Sequence, residues 1–123
     1  MNFNQITIPC VNYDESVAFY AKLGLRQIVD SPPRYARFES SSGTTLSIHK
    51  TDPEVTASAV TIYFEVDDVD AEVRRLKSDG LEFDGDVTDQ DWLWREAYLR
   101  DPAGNRVCVY HAGENRRFPP WRI

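Results

Sequence analysis

A chain of 123 residues and 14.1 kDa is the length of one domain with a core of its own. Hydrophobic residues make up 41% and charged residues 28%, and no apolar run approaches the roughly 18 residues of a membrane span. The formal charge of −6 and the pI near 4.8 argue against nucleic acid as a partner, because phosphate binding needs a basic face.

The first predicted strand, Ile6 to Val11, is rich in β-branched residues, and Pro9 within it calls for a sheet edge or a bulge. Asn12 with Glu15 three residues on forms a capping box. It opens a helix whose expected apolar face is Val17, Tyr20, Ala21 and Leu23, ended by Gly24. Strands follow at about 25–30, 34–39 and 44–49, separated by Ser31-Pro32-Pro33 and Ser40-Ser41-Ser42-Gly43. Residues 51 to 58 read as a polar connector.

The second half repeats the first. Thr61 to Val66 is again a strand, and Asp68 caps a helix with Val69, Val73 and Leu76 on its apolar face and Gly80 at its end. Acids fill its first turn and Arg74, Arg75 and Lys77 come later, the order that suits the helix dipole. Further strands are expected near 81–84, 95–100 and 105–110, the last two joined by Asp101-Pro102-Ala103-Gly104-Asn105. Setting Ile6 on Thr61 puts Val11 on Val66, and a one-residue slip then puts Gly24 on Gly80. The chain reads as one α+β domain of two tandem βαβββ modules, about 4–50 and 60–110, with a tail at 111–123. Residues 67 to 91 hold ten acids against three bases, a solvated acidic face or an attractor of cationic ligands. Cys10 and Cys108 sit in apolar strands and read as buried free thiols.

These paired modules, Ser16-Val17-Ala18-Phe19-Tyr20 in the first helix, and the run from Arg95 to Asn105 resemble the vicinal oxygen chelate superfamily. That group holds glyoxalase I, extradiol dioxygenases, fosfomycin-resistance enzymes and bleomycin-binding resistance proteins. The resemblance implies a curved mixed sheet in two half-barrels around a cavity, with helices outside. Metal-dependent members carry His or Glu ligands on the first and last strand of each module. Those positions fall on Ile6, Ser47, Thr61 and Cys108, a set that cannot hold a divalent transition ion, so no metal and no cofactor is expected. A displaced set drawn from His49, Glu65, Glu96 and Cys108 is the alternative.

Alternation phased to the family's cavity places Ser47 and His49, then Thr61, Tyr63 and Glu65, then Glu96 and Tyr98, then Arg106, Cys108 and Tyr110 on one side. Glu96 and Tyr98 coincide with positions at which the fosfomycin enzymes contact substrate. Trp92 and Trp94 precede the seventh strand, where bleomycin-binding relatives have a similar Trp-x-Arg-Glu stretch lining the groove. The expected ligand contacts are therefore His49, Tyr63, Glu65, Trp92, Trp94, Glu96, Tyr98, Cys108 and Tyr110; each aromatic also has a plain packing role open to it. Arg37 and Glu39 read either as the cavity mouth or as a surface ion pair, and His111 as structural or exposed.

The tail mixes Arg116, Arg117 and Arg122 with Phe118, Trp121 and Ile123, and Pro119-Pro120 favours an extended path. It is expected to dock across the barrel or onto a partner subunit, with its arginines meeting the acids of 79 to 91, in a homodimer. The expected function is metal-free binding of a small organic molecule in an aromatic, acidic cavity. The alternative is a lyase, isomerase or dioxygenase-type enzyme with a relocated metal, or with Glu96 or His49 as general base. Met1-Asn2-Phe3-Asn4-Gln5 lacks the basic and apolar stretches of a secretory leader, and the cytoplasm is the expected location.

Overall fold

The computed structural model describes residues 1–52 and 60–123, so the predicted connector lies outside the described residues from position 53 on. The chain divides into two compact units, residues 1–59 with 101–105, and residues 60–100 with 106–123. No helix among the described residues is long and apolar enough to cross a membrane.

The first unit runs β1 (Gln5–Cys10), α1 (Tyr13–Lys22), β2 (Arg26–Ser31), β3 (Tyr35–Glu39) and β4 (Thr45–Lys50). The sheet order is β1-β4-β3-β2, with β1 parallel to β4 and the other pairs antiparallel. Pro9 is tolerated because β1 is the end strand of this sheet; the bulge lies on β2, between Gln27 and Val29. The Asn12 side chain accepts the Glu15 N–H at 3.1 Å and starts α1. The buried face of α1 is Tyr13, Ser16, Phe19 and Tyr20; of the predicted Val17, Tyr20, Ala21 and Leu23 it keeps Tyr20 alone. The stripe runs through a small serine between large aromatics, which apolar periodicity alone skips. Tyr20 meets Phe38 of the sheet, and Ile8, Cys10, Ala36, Leu46 and Ile48 complete the buried layer.

Residues 101–105 are built into the same unit. The buried Asp101 carboxylate accepts the Tyr20 hydroxyl at 2.6 Å, the N–H groups of Ala103 and Asn105, and the Asn105 amide at 2.7 Å. Asn105 Nδ2 also donates to the Pro9 carbonyl at 2.9 Å.

The second unit repeats the plan with β5 (Thr61–Glu65), α2 (Val69–Ser78), β6 (Thr88–Asp89), β7 (Arg95–Arg100) and β8 (Arg106–His111), in the order β5-β8-β7-β6. Asp68 caps α2 by accepting the Ala71 N–H. Val69 and Val73 pack on Ala97, with Val66, Phe83 and Val87 around them. The strand expected at 81–84 is a single bridge from Phe83 to Leu99, and β7 finds its neighbour later, in two residues. Asp84, Gly85 and Asp86 explain this: all three are poor strand formers and stay exposed. The repeat needs no slip, since Gln5 stands on Thr61, Asn12 on Asp68 and Gly24 on Gly80 at one constant offset.

The tail forms a 3-10 turn at Gly113–Arg116 and then turns back, Arg122 N–H donating to the Pro119 carbonyl, rather than extending. Phe118, Trp121 and Ile123 are exposed, so the expected docking onto the chain's own barrel is not found. Arg117 and Arg122 lie over the Phe118 ring instead, at 5.4 and 4.5 Å. Arg116 pairs with Glu65 and not with the acids of 79 to 91.

Candidate functional site

In the second unit, strand alternation divides the sheet cleanly. Ala97 packs against α2, while Leu99, Val107 and Val109 are buried on the same parity. The other face carries Tyr63 opposite Cys108 opposite Tyr98, and Glu65 opposite Tyr110 opposite Glu96. Trp94 stacks on Tyr110 with ring centroids 4.6 Å apart and planes 22° apart. Tyr63 meets both rings edge-on at 5.8 and 5.7 Å. Trp94 and Tyr98 pack over Cys108 and Tyr110.

On the same face, opposite Tyr110 in the register, sits Glu96, 2% accessible. One carboxylate oxygen accepts the Tyr98 hydroxyl at 3.1 Å and the other faces the Cys108 thiol at 3.8 Å. Among the described residues no cation pairs with it. Burial first, and then the charge of Glu96, push the Cys108 thiol up to about 12, so it stays protonated at neutral pH. Burial, then Cys108 and Glu96, likewise raise the Tyr98 phenol. Tyr98 also lines an open cleft of about 310 Å³ with Asp84, Gly85, Asp86, Arg100 and Arg106. The Arg106 guanidinium lies 4.6 Å over the Tyr98 ring, and Arg100 pairs with Asp84.

Six of the expected contacts thus stand together: Tyr63, Trp94, Glu96, Tyr98, Cys108 and Tyr110. Glu65 is beside them, but its carboxylate accepts the N–H groups of Ala112 and Gly113 and pairs with Arg116, which ties it to the turn of the tail. Trp92 stands apart, 44% exposed, because Leu93 takes a left-handed φ of 67° between the two tryptophans. His49 belongs to the first unit, where it is exposed on β4 opposite Tyr35. His111 is exposed, with Nδ1 2.8 Å from the Val66 carbonyl.

The face of the first sheet opposite α1 holds a polar network in which Ser47, expected there from alternation, meets Tyr35, which was not. The Tyr35 hydroxyl lies 2.7 Å from Oγ of the fully buried Ser47; Arg37 Nε donates to Tyr35 at 2.9 Å, and Gln5 Nε2 donates to Ser47 at 3.4 Å. Burial works to raise the Tyr35 phenol, yet the bonds from Ser47 and Arg37 and the Arg37 charge outweigh it, and the net shift is downward. Arg37 does not pair with Glu39, which turns to Arg26.

The family profile of the glyoxalase/bleomycin resistance protein/dioxygenase superfamily matches residues 2–109. The chain belongs to that superfamily. Solved structures similar to it include a lactoylglutathione lyase from Agrobacterium tumefaciens, at 20% identity and TM-score 0.73, covering 99% of this chain and 97% of that one. The bleomycin resistance determinant encoded on transposon Tn5 matches at 21% identity and TM-score 0.72, covering 90% and 98%. A glyoxalase/bleomycin resistance protein/dioxygenase from Nocardioides matches at 22% identity and TM-score 0.77, covering 100% and 89%. At these identities the likeness is one of fold. Among curated proteins none matches.

Within the superfamily frame, one expected ligand position moves. Ile6 shares the parity of the buried Ile8 and Cys10, so it cannot share a site with Ser47; its neighbour Gln5 reaches Ser47 instead. In the first unit the positions are therefore Gln5 and Ser47, an amide and a hydroxyl, and in the second Thr61 and Cys108, a hydroxyl and a thiol held protonated. Neither pair fits a divalent transition ion. Among the described residues no three His, Cys, Asp or Glu side chains converge elsewhere.

Proposed function

We propose that this superfamily member binds a small, flat organic cation on the aromatic face of its second unit, without a metal. The observation that carries the reading is Glu96, a buried carboxylate opposite Tyr110 on the face of the Trp94, Tyr110 and Tyr63 rings, whose partners among the described residues are a phenol and a thiol. A buried charge without a counter-ion is costly, and a cation seated over these rings would gain both charge pairing and cation–π attraction. Titration calorimetry with N-methylquinolinium tests this against neutral quinoline. The cation is expected to bind more tightly, and Trp94→Ala to weaken it by about tenfold, the size of one desolvated cation–π contact. Equal binding of quinoline, or an affinity indifferent to Trp94→Ala, would overturn the reading. About one transition metal per chain in natively purified protein would reject its metal-free part.

We also propose that the active form is a homodimer, because Phe118, Trp121 and Ile123 leave apolar surface in water that a second copy would cover. Sedimentation of the full chain and of a variant lacking residues 114 to 123 checks this. A monomer in both at tens of micromolar would rule it out.

A further inference from the structure

We propose that Arg37, Tyr35 and Ser47 form a carboxylate-binding site on the face of the first sheet opposite α1. It is separate from the cation reading above and rests on a count of donors and acceptors. Arg37 is half-buried on β3, and its Nε hydrogen is spent on the Tyr35 hydroxyl. Among the described residues no carboxylate pairs with its two Nη groups, and the nearest along the strand, Glu39, is engaged with Arg26. Tyr35 and Ser47 share one hydrogen bond between two hydroxyls. Each hydroxyl has one hydrogen and one bond joins them, so one O–H is left over whichever of them donates. Gln5 adds a donor to Ser47 and takes up no hydrogen there.

Ser47 is fully buried, so the hydrogen that can face a ligand is that of the Tyr35 hydroxyl, with Ser47 donating to Tyr35; this hydrogen and the Arg37 Nη groups are all donors, and their complement is a group that only accepts. The charge is a single guanidinium, which suits a monoanion. The outer edge of a guanidinium offers parallel N–H bonds in one plane, the geometry of a bidentate carboxylate. From the neighbouring strands His49 and Gln5 on one side and Val29 and Ser31 on the other face the site, none of them acidic; the one carboxylate on this face of β3 is Glu39, which is paired with Arg26. The Tyr35 ring, 5.6 Å from the guanidinium carbon, gives an aromatic acid a surface to lie on.

The test is calorimetry with benzoate, benzamide and inorganic phosphate on the full chain and on Arg37→Gln, Arg37→Lys and Arg26→Gln. Benzoate is expected to bind saturably in the millimolar range and benzamide not to. Arg37→Gln is expected to lose about tenfold in affinity, the scale of a charge-assisted bidentate contact, Arg37→Lys less, and Arg26→Gln nothing. Carbon-13 tyrosine spectra of the unmodified chain give a readout that does not depend on the variants folding, since the Tyr35 signal should move with benzoate and not with benzamide. Equal binding of benzamide, unchanged affinity in Arg37→Gln, stronger binding of phosphate than of benzoate, or a still Tyr35 signal would each overturn the proposal. These outcomes are independent of N-methylquinolinium binding at Trp94.

Discussion

The two sheets share strand order, pairing sense and the position of the helix, yet their helix-free faces have little in common. The first carries Gln5, Tyr35, Arg37 and Ser47, a surface of hydrogen-bond donors around one cation. The second carries Tyr63, Trp94, Tyr98 and Tyr110 with a buried carboxylate among them. The helix sides are held alike by the need to bury apolar surface, Phe38 and Ile48 in one and Leu99 and Val107 in the other. Where that need is absent, the repeats have diverged. A duplicated backbone thus fixes where a site can be, and the strand parity away from the helices decides what it holds.

The loops sharpen the contrast. Ser40 to Thr44 and Asp101 to Asn105 make the same turn: the first N–H bonds the fifth carbonyl, and the fourth residue, Gly43 or Gly104, bonds back to the first. Both glycines hold a left-handed φ, at 85° and 86°. The serine loop is bonded to itself at the surface, whereas Asp101 is buried and accepts four hydrogen bonds. Asp101→Ala strands the Tyr20 hydroxyl in the interior, takes the acceptor from the N–H groups of Ala103 and Asn105 and one of two from the Asn105 amide, and is expected to cost about 3–5 kcal/mol. Ser40→Ala is expected to stay within about 0.5 kcal/mol. Urea denaturation of both reads the difference, and similar midpoints would deny the asymmetry.

A third loop repeats the pattern with one change. Gln90 N–H bonds the Trp94 carbonyl and Leu93 N–H bonds the Gln90 carbonyl, so Leu93 occupies the place that glycine holds in the other two. An L side chain at φ 67° costs about 1–2 kcal/mol. Leu93→Gly should relieve most of that, stabilising the chain by about 1 kcal/mol once the added freedom of the unfolded glycine is counted. If the strain serves to aim Trp94, the same variant will melt higher and bind N-methylquinolinium more weakly. A lower melting temperature would show that the leucine side chain matters more than its backbone.

The smallest effect concerns acid. Arg95 donates twice to Asp70 at the start of α2, and this bond first, then the Arg95 charge, holds the Asp70 carboxyl below its ordinary value. Its contribution is present above the unfolded carboxyl pKa of about 3.9 and is lost as pH falls through the lower folded value. Arg95→Gln should therefore shallow the acid limb of the melting-temperature profile below about pH 4 while changing little near neutrality. In the first sheet the ion pair of Arg26 with Glu39 is longer and exposed, and an acid limb unchanged by Arg95→Gln would erase this difference too.

Much of this was legible in the sequence, and the exceptions have physical causes. The caps at Asn12 and Asp68, the stripe Val69, Val73 and Leu76, and the glycines at 24 and 80 follow from local chemistry. The face of α1 did not, because Ser16 is buried for its size. Trp92 and Trp94, two apart, should share a side of an extended strand; the left-handed backbone at Leu93 parts them, and no alternation rule sees a dihedral angle. The network of Tyr35, Arg37 and Ser47 was legible only in part. Alternation put Ser47 on the cavity side and left Arg37 between the cavity mouth and a surface ion pair, while Tyr35 and the bonds that join the three are set by hydrogen-bond distances no pattern carries.

The spread of the three tryptophans has an optical consequence. Trp94 is stacked and half-buried, whereas Trp92 and Trp121 are 44% and 56% exposed, on a hairpin tip and in the tail. A collisional quencher in the buffer will darken the two outer indoles first. The emission that survives then comes from the ring lying on Tyr110, and the chain carries its own fluorescent reporter on the one aromatic stack where a ligand would intrude.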